Sequence, residues 1–103
     1  MISTHILDLS TGQPAAGVQV TLEKDGAPVK TEATNADGRI AFQVAHEPGV
    51  YRLTFAVAAY AKRQGLKPFF LDVPITFEVS DTGRKYHVPL LLSPYGFSTY
   101  RGS

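Results

Sequence analysis

The chain has 103 residues, which suits one domain, residues 1–103, and leaves little room for a second. Ten Lys and Arg residues against nine Asp and Glu residues give a net charge of +1, so neither a nucleic-acid surface nor a polybasic membrane anchor is predicted. Cysteine is absent, which excludes thiol chemistry. No signal-like segment or membrane-length apolar run is found, so a cytoplasmic protein is expected, or a periplasmic one if a leader has been removed. The low charged fraction, 18%, suggests that other subunits cover part of the surface.

Apolar and polar residues alternate with period two between turn sequences, which predicts a series of short strands. In chain order these strands are predicted at residues 4–9, 18–23, 29–34, 39–44, 51–57, 75–79 and 86–92. Asp25-Gly26 is a pair that tight hairpins prefer, and residues 35–38 predict another turn. Good helix formers at residues 58–64, followed by Gly65, predict one short helix. The spacing is typical of an all-β, antiparallel sandwich or barrel, and it leaves the strand order open.

The last predicted strand contains a proline. Val88, Leu90 and Leu92 are predicted to face the core, and His87, Pro89 and Leu91 are predicted to face outward. Because Pro89 has no amide hydrogen, we expect it at a sheet edge, at a bulge or where pairing is interrupted.

Most catalytic motifs are missing from the sequence, including phosphate-binding glycine loops, HExxH and Gly-x-Ser-x-Gly. Three histidines remain. His5 shares a strand face with Leu7 and Leu9, so its ordinary role would be that of a core or interface histidine bonded to a backbone carbonyl. The ordinary interpretation of His87 is an exposed side chain, and that of His46 is a solvated loop residue. Two histidines could share a zinc ion, but closed zinc sites take four protein ligands and catalytic ones three, so this interpretation is weaker.

Two further features favour a binding site. Arg39 follows the Asn-Ala-Asp-Gly turn; alone it would be read as solvated, but a guanidinium can also bind a planar, carbonyl-rich or anionic ligand through paired hydrogen bonds. Residues 93–103 carry three aromatic side chains and an arginine, whereas chain ends usually drift toward small polar residues. This segment is either a terminal strand that packs for stability or part of a site that includes Tyr100, Arg101 and Ser103.

The sequence of residues 86–103, Tyr-His-Val-Pro-Leu-Leu-Leu-Ser-Pro-Tyr-Gly-Phe-Ser-Thr-Tyr-Arg-Gly-Ser, resembles the C-terminal signature of the 5-hydroxyisourate hydrolases, also called transthyretin-related proteins. The final Tyr-Arg-Gly-Ser is the hallmark of that family. Residues 3–8, 12–18 and 35–39 are also similar to it, so the resemblance runs essentially from end to end. Residues 67–74 depart from it where members often have an aromatic-proline pair, which concerns packing rather than the implied site.

The resemblance implies a transthyretin-like sandwich of two four-stranded sheets with one short helix. It also implies a homotetramer, a dimer of dimers, with active sites in the channel between the dimers. The implied reaction is the hydrolytic ring opening of 5-hydroxyisourate in urate (purine) degradation, without a metal or an organic cofactor. The implied catalytic residues are His5, Arg39, His87 and Ser103, and the implied substrate contacts are His5, Arg39 and Tyr100.

The resemblance leaves some points open. His5 and His87 would activate water jointly, and the sequence does not determine which of them is the base. Transthyretin, the hormone carrier, lacks both the histidine pair and the Tyr-Arg-Gly-Ser end, so an enzyme is favoured over a small-ligand carrier. A purely structural sandwich with incidental histidines is the remaining alternative.

Overall fold

The computed structural model describes residues 1–44 and 47–103 as two β-sheets that enclose one core, with a single short helix. The elements are β1 (Ile2–Asp8), β2 (Gln13–Pro14), β3 (Gln19–Lys24), β4 (Ala27–Ala33), β5 (Arg39–Phe42), β6 (Gly49–Phe55), α1 (Val57–Arg63), β7 (Val73–Val79), β8 (Tyr86–His87), β9 (Leu90–Ser93) and β10 (Gly96–Thr99). The predicted all-β sandwich is therefore confirmed, and the helix begins one residue earlier than predicted. The expectation for His46 falls outside the described residues. Within them, no helix is long and apolar enough to cross a membrane.

The first sheet contains four antiparallel strands in the order β4-β3-β6-β7. Its β3–β4 hairpin turns at Asp25 and Gly26, whose φ angles are 50° and 85°. Positive φ at both central residues characterises the type I′ turn, and Asp-Gly tolerates it well. The Asp25 amide donates to the Val50 carbonyl at 2.7 Å, and the Val50 amide donates to Asp25 Oδ1 at 3.0 Å. The predicted hairpin is confirmed, and it is tied to β6.

The second sheet is organised around β1, which is paired along both edges. One edge pairs antiparallel with β5 and then with β2. The other edge pairs parallel with β8 and then with β9, and β10 pairs antiparallel with β9. Because β5 and β2 follow one another along one edge of β1, and β8 and β9 along the other, the six segments form a sheet that is four strands wide. This agrees with the predicted four-stranded sheet. The parallel pairing of β1 is a departure from a purely antiparallel sheet, and the long stretch of chain between β1 and β8 makes it possible.

Pro89 interrupts the strand predicted at residues 86–92. Val88 and Pro89 separate β8 from β9, which confirms the expected break in pairing. The Thr4 hydroxyl donates to the Val88 carbonyl and the Thr99 hydroxyl donates to the Pro89 carbonyl, each at 2.7 Å. Pro89 was predicted to face outward with His87 and Leu91; it is buried, whereas those two residues are half-buried.

Strand β1 turns alternate side chains toward the core. Ile2, Ile6 and the polar Thr4 and Asp8 are buried, whereas Ser3, His5 and Leu7 are half-buried on the outer face. His5 is therefore not a core histidine, and Leu9, which continues its face, is 52% exposed. The largest fully buried side chains of the sandwich include Phe42, Phe55, Ile2, Ile6, Leu22, Leu53 and Leu90.

A buried polar contact joins α1 to β1. The Tyr60 hydroxyl donates to Asp8 Oδ2 at 2.7 Å, and the Ser10 amide and hydroxyl donate to Asp8 Oδ1 at 2.9 and 2.6 Å. Burial and the bond to Asp8 raise the pKa of Tyr60 to about 12. Burial also pushes the pKa of Asp8 upward, but the hydrogen bonds from Ser10 and Tyr60 outweigh it and the pKa is lowered. The carboxylate is therefore held in its charged form by its partners.

We expect Tyr60→Phe to lower the free energy of unfolding by about 1–3 kcal/mol, because a buried carboxylate oxygen loses its hydrogen-bond donor. The matched control is Tyr95→Phe, which removes a hydroxyl from a side chain that is 80% exposed. Such a surface change should stay within about 0.5 kcal/mol. Urea unfolding at one fixed protein concentration measures both variants. Equal unfolding midpoints for the two variants would contradict a stabilising Tyr60–Asp8 bond.

Candidate active site

Polar side chains gather on the outer face of the sheet around β1. Ser3 and His5 are two residues apart in β1, so their side chains project from the same face. Arg39 in β5 lies directly opposite His5, and His87 in β8 lies opposite Ser3 along the other edge. Adjacent strands are roughly 4.8 Å apart, and same-face residues of one strand are roughly 6.6 Å apart. The register therefore brings His5, Arg39 and His87 into one patch.

The turn before Arg39 is closed by local hydrogen bonds. Asn35 Oδ1 accepts the amides of Asp37 and Arg39 at 2.9 and 3.0 Å. Gly38 has a φ of 72°, and its carbonyl accepts the Ile6 amide at 2.8 Å. A Cβ at residue 38 would lie 2.7 Å from the Ile6 carbonyl oxygen, so glycine is required for this close approach. The Asn-Ala-Asp-Gly sequence thereby fixes the position at which Arg39 begins β5.

His87 is held from two directions. Its Nδ1 and Ser3 Oγ form a hydrogen bond of 2.8 Å, and both residues are half-buried. The Gly102 amide donates to the His87 carbonyl at 2.7 Å, which forms an isolated β-bridge between the two residues. Gly102 is buried, and Ser103 follows it at the surface. The C-terminal residues are thus placed beside the imidazole.

An open depression of about 740 Å³ lies over this patch. The depression is lined by three cationic side chains, Arg39, Arg84 and Lys85. Ser3, His87 and Ser103 also line it. His5 adjoins the depression through its cross-strand neighbour Arg39. Three cations and several hydrogen-bonding groups around one depression suit a flat ligand that is anionic or rich in carbonyl groups.

Both site histidines have a lowered pKa. Burial lowers the pKa of His5 below its ordinary value of 6.5, the Arg39 charge lowers it further, and Asp37 opposes the shift. Burial, Arg39 and His5, in that order, lower the pKa of His87, and a hydrogen bond with the Ser3 backbone opposes them. A lowered pKa means that the neutral imidazole predominates at pH 7. Both rings can therefore accept a proton at neutral pH.

Tyr100 lies apart from the other predicted site residues within the protomer. It is 58% exposed and lines a second depression of about 370 Å³ together with Arg101. Arg84 borders both depressions, so they meet at that side chain. The structure thus groups Arg39, His87 and Ser103 with His5 beside them, and a contact of Tyr100 with the same ligand stays a prediction.

The site also contains Ser3, Arg84, Lys85 and Gly102, which were not singled out from the sequence. Ser3 could have been found by alternation, since it shares a strand face with His5. Arg84 and Lys85 immediately precede the last predicted strand, and only the parallel pairing of β8 with β1 places them at the depression. Within residues 1–44 and 47–103, no three His, Asp or Glu side chains form a group that could hold a metal ion.

Comparison with known proteins agrees with this fold. The 5-hydroxyisourate hydrolase of Salmonella typhimurium is 47% identical over 110 residues, which cover 100% of this chain and 81% of that protein. The structure of Klebsiella pneumoniae 5-hydroxyisourate hydrolase is 43% identical with a TM-score of 0.90, covering 99% of this chain and 98% of that one. Transthyretin from Sparus aurata is 31% identical with a TM-score of 0.91, covering 98% and 95%. Residues 2–102 match the model of the HIUase/Transthyretin family, and the chain belongs to that family.

Proposed function

We propose that this protein is a 5-hydroxyisourate hydrolase, which opens the six-membered ring of 5-hydroxyisourate to give 2-oxo-4-hydroxy-4-carboxy-5-ureidoimidazoline in urate degradation. The observation that carries the proposal is the grouping of two neutral, half-buried histidines with Arg39 on one outer sheet face. The similarity to relatives named 5-hydroxyisourate hydrolase supports the same activity. Each protomer acts as a single domain of residues 1–103.

The reaction adds one water molecule across an amide bond. The water oxygen bonds to the carbonyl carbon, the carbon–nitrogen bond breaks, and the proton taken from water returns to the departing nitrogen. A neutral imidazole can carry that proton, and positioned acid–base groups accelerate such steps by about 10²–10⁴-fold. His5 and His87 perform this transfer jointly. The lowered pKa values keep both rings available for it at pH 7.

Arg39 has two roles in this mechanism. Its guanidinium holds the flat substrate through paired hydrogen bonds, because its donors are arranged in a rigid fork. It also stabilises the negative charge that develops on the attacked carbonyl oxygen. Ser103 lines the same depression and fixes the orientation of the substrate, with Tyr100 as a further contact. No metal or organic cofactor takes part.

We propose further that the protein is a homotetramer, a dimer of dimers, with the active sites between the dimers. Two observations support this arrangement: the depression is open on the outer face of a sheet, and Leu7 and Leu91 on that face are only half-buried. A partner surface would cover the face and shield the reaction from bulk water. Analytical ultracentrifugation tests the proposal, with four times the protomer mass as the expected result. A monomer at micromolar concentration would overturn it.

The pH dependence follows from the lowered histidine pKa values. We expect kcat/KM to rise with pH and to level off with a midpoint below the ordinary histidine value of 6.5, since the neutral base forms at lower pH than usual. Stopped-flow initial rates, corrected for spontaneous decay, give the profile. Arg39→Ala should move the midpoint upward because it removes a positive charge beside both rings. A wild-type midpoint at or above 6.5 would contradict this assignment of the base.

A tag at the C-terminal end should interfere with the site. We expect a short tag fused after Ser103 to lower kcat/KM on the order of 10-fold or more, because displacing Gly102 and Ser103 would misplace His87. The same tag fused before Met1 is the control and should have a smaller effect. Equal activity of the two fusions, measured with freshly made substrate, would count against a role for Ser103.

The proposed function is tested directly by following the ultraviolet absorbance of freshly prepared 5-hydroxyisourate with and without the protein. Faster decay with the protein is the expected result, and an unchanged decay rate would overturn the proposal. The alternative is a small-ligand carrier, favoured by the likeness to sea bream transthyretin, whose structure has been solved with thyroxine. Thyroxine binding without turnover would favour that alternative, and a monomer with neither property would favour a structural sandwich.

A further inference from the structure

The imidazole of His87 has a fixed partner at one of its two nitrogens. Ser3 Oγ lies 2.8 Å from His87 Nδ1, and the β1–β8 register sets the two residues directly opposite each other. A serine hydroxyl can accept a hydrogen bond from Nδ1–H, and in that arrangement the ring is held as a single tautomer. If Nδ1 carries the hydrogen and donates it to Ser3, then Nε2 is left with its lone pair. Nε2 is then the nitrogen that can take a proton from water.

Gly102 constrains the same ring from another side. A Cβ at residue 102 would lie 2.6 Å from His87 Cδ2 and 3.2 Å from both Cβ and Cγ of His87. Its φ is not in the positive region that favours glycine, so the requirement for glycine here is one of space alone. Cδ2 is the ring carbon bonded to Nε2, and the Gly102 backbone therefore packs against the part of the ring that would react. The Gly102 amide also holds the His87 carbonyl at 2.7 Å.

We infer that Ser3 and Gly102 are positioning residues that hold the His87 imidazole as its Nδ1–H tautomer, with Nε2 directed at the substrate. This inference rests on the proposed hydrolase function, because it assigns Nε2 the proton transfer of that reaction. Neither residue touches the reacting atoms in this scheme, and each acts through His87. The contacts of Gly102 with His87 also hold Ser103, the next residue along the chain, close to the same ring.

The first experiment compares Ser3→Ala with Ser3→Thr. Removing the hydroxyl should lower kcat by about 10-fold or more with little change in KM, because the ring loses its orientation while substrate contacts remain. Threonine keeps a hydroxyl and suits a strand, so Ser3→Thr should restore most of the activity. Ser98→Ala in β10, an exposed serine outside the depression, is the matched control. Wild-type kcat in Ser3→Ala would overturn the role of Ser3.

A second readout does not depend on turnover. Long-range ¹H–¹⁵N NMR of His87 in the free protein identifies which ring nitrogen carries the hydrogen. We expect the Nδ1–H form in the wild type and in Ser3→Thr, and a mixture of tautomers in Ser3→Ala. An Nε2–H form in the wild type, or an unchanged tautomer in Ser3→Ala, would overturn the inference. Because the spectrum needs no substrate, it decides this point even if the wild type does not hydrolyse 5-hydroxyisourate.

Gly102→Ala tests the steric part of the inference. The added methyl group should displace the imidazole and lower kcat on the order of 10²-fold, in line with the cost of a displacement of about 1 Å. The matched control is Gly96→Ala in the same C-terminal segment, where a Cβ would meet only Ser93 Oγ at an ordinary 3.6 Å. Circular dichroism and the melting temperature establish that both variants are folded. Equal kcat in folded Gly102→Ala and Gly96→Ala would overturn the role of Gly102. If Gly102→Ala does not fold, the NMR spectra of the wild type and the Ser3 variants decide whether the His87 tautomer is held.

Discussion

His87→Asn should lower kcat/KM for 5-hydroxyisourate by about 10²–10⁴-fold, the usual contribution of a positioned acid–base group. Asparagine is smaller than histidine and can still hydrogen-bond to Ser3, but it cannot take a proton from water near pH 7. His5→Asn should cause a loss of similar size, because the two rings lie on one face, both are assigned to the proton transfer, and His5 lowers the pKa of His87. The fold should persist in both variants, since neither histidine is part of the core.

Combining the two substitutions tests whether the histidines act jointly. Residues that act as a unit have non-additive effects, so the double variant should be hardly slower than the slower single variant. Stopped-flow rates give the activities, and sedimentation velocity checks that the assembly is unchanged. A single variant that keeps the wild-type rate would eliminate that histidine from the mechanism. Two losses that simply multiply in the double variant would mean that the rings work independently.

The elements of the fold follow from local sequence. Alternation at residues 18–23 and 51–57 identified β3 and β6, because a strand with one buried face needs apolar side chains at every second position. The Asp25-Gly26 pair identified a turn, because it tolerates the positive φ that this hairpin contains. The position of Pro89 identified the break between β8 and β9. Each of these rules acts over a few neighbouring residues, so the spacing of residues in the sequence is sufficient to predict these elements.

The grouping of the site depends on pairing across the chain. Ser3 and His87 are 84 residues apart, and their contact exists only because β8 pairs parallel with β1. Spacing carries no information on that pairing, so it could not predict the hydrogen bond or the position of Lys85. The resemblance supplied His5, Arg39, His87 and Ser103 as a set, but it did not distinguish the depression of Ser103 from that of Tyr100. An extended chain rises roughly 3.3 Å per residue, so three residues are enough to carry these side chains into different depressions.

Arg39→Ala should lower kcat/KM by about 10²–10³-fold, the usual cost of removing a donor that stabilises a developing oxyanion. Arg39→Lys should be nearly as damaging, because a lysine ammonium retains the charge but lacks the planar fork that makes paired hydrogen bonds. The matched controls are Arg52→Ala and Arg52→Lys in β6, where the arginine is exposed on the other sheet and contacts Thr76 and Glu23. Those two variants should keep wild-type activity.

The two Arg39 variants also separate charge from geometry. Lysine at residue 39 should leave the pH midpoint low, because the positive charge beside both histidines is retained, whereas alanine should raise it. A low midpoint combined with a large loss of kcat/KM in Arg39→Lys would mean that the fork holds the substrate and that the charge tunes the histidines. Near-wild-type kcat/KM in Arg39→Lys would instead argue against paired hydrogen bonding, since charge alone would then be sufficient. Initial rates measured across the acidic pH range give the pH midpoint of each variant. The kcat/KM values are then compared at the plateau of each variant's own pH profile, which distinguishes these outcomes.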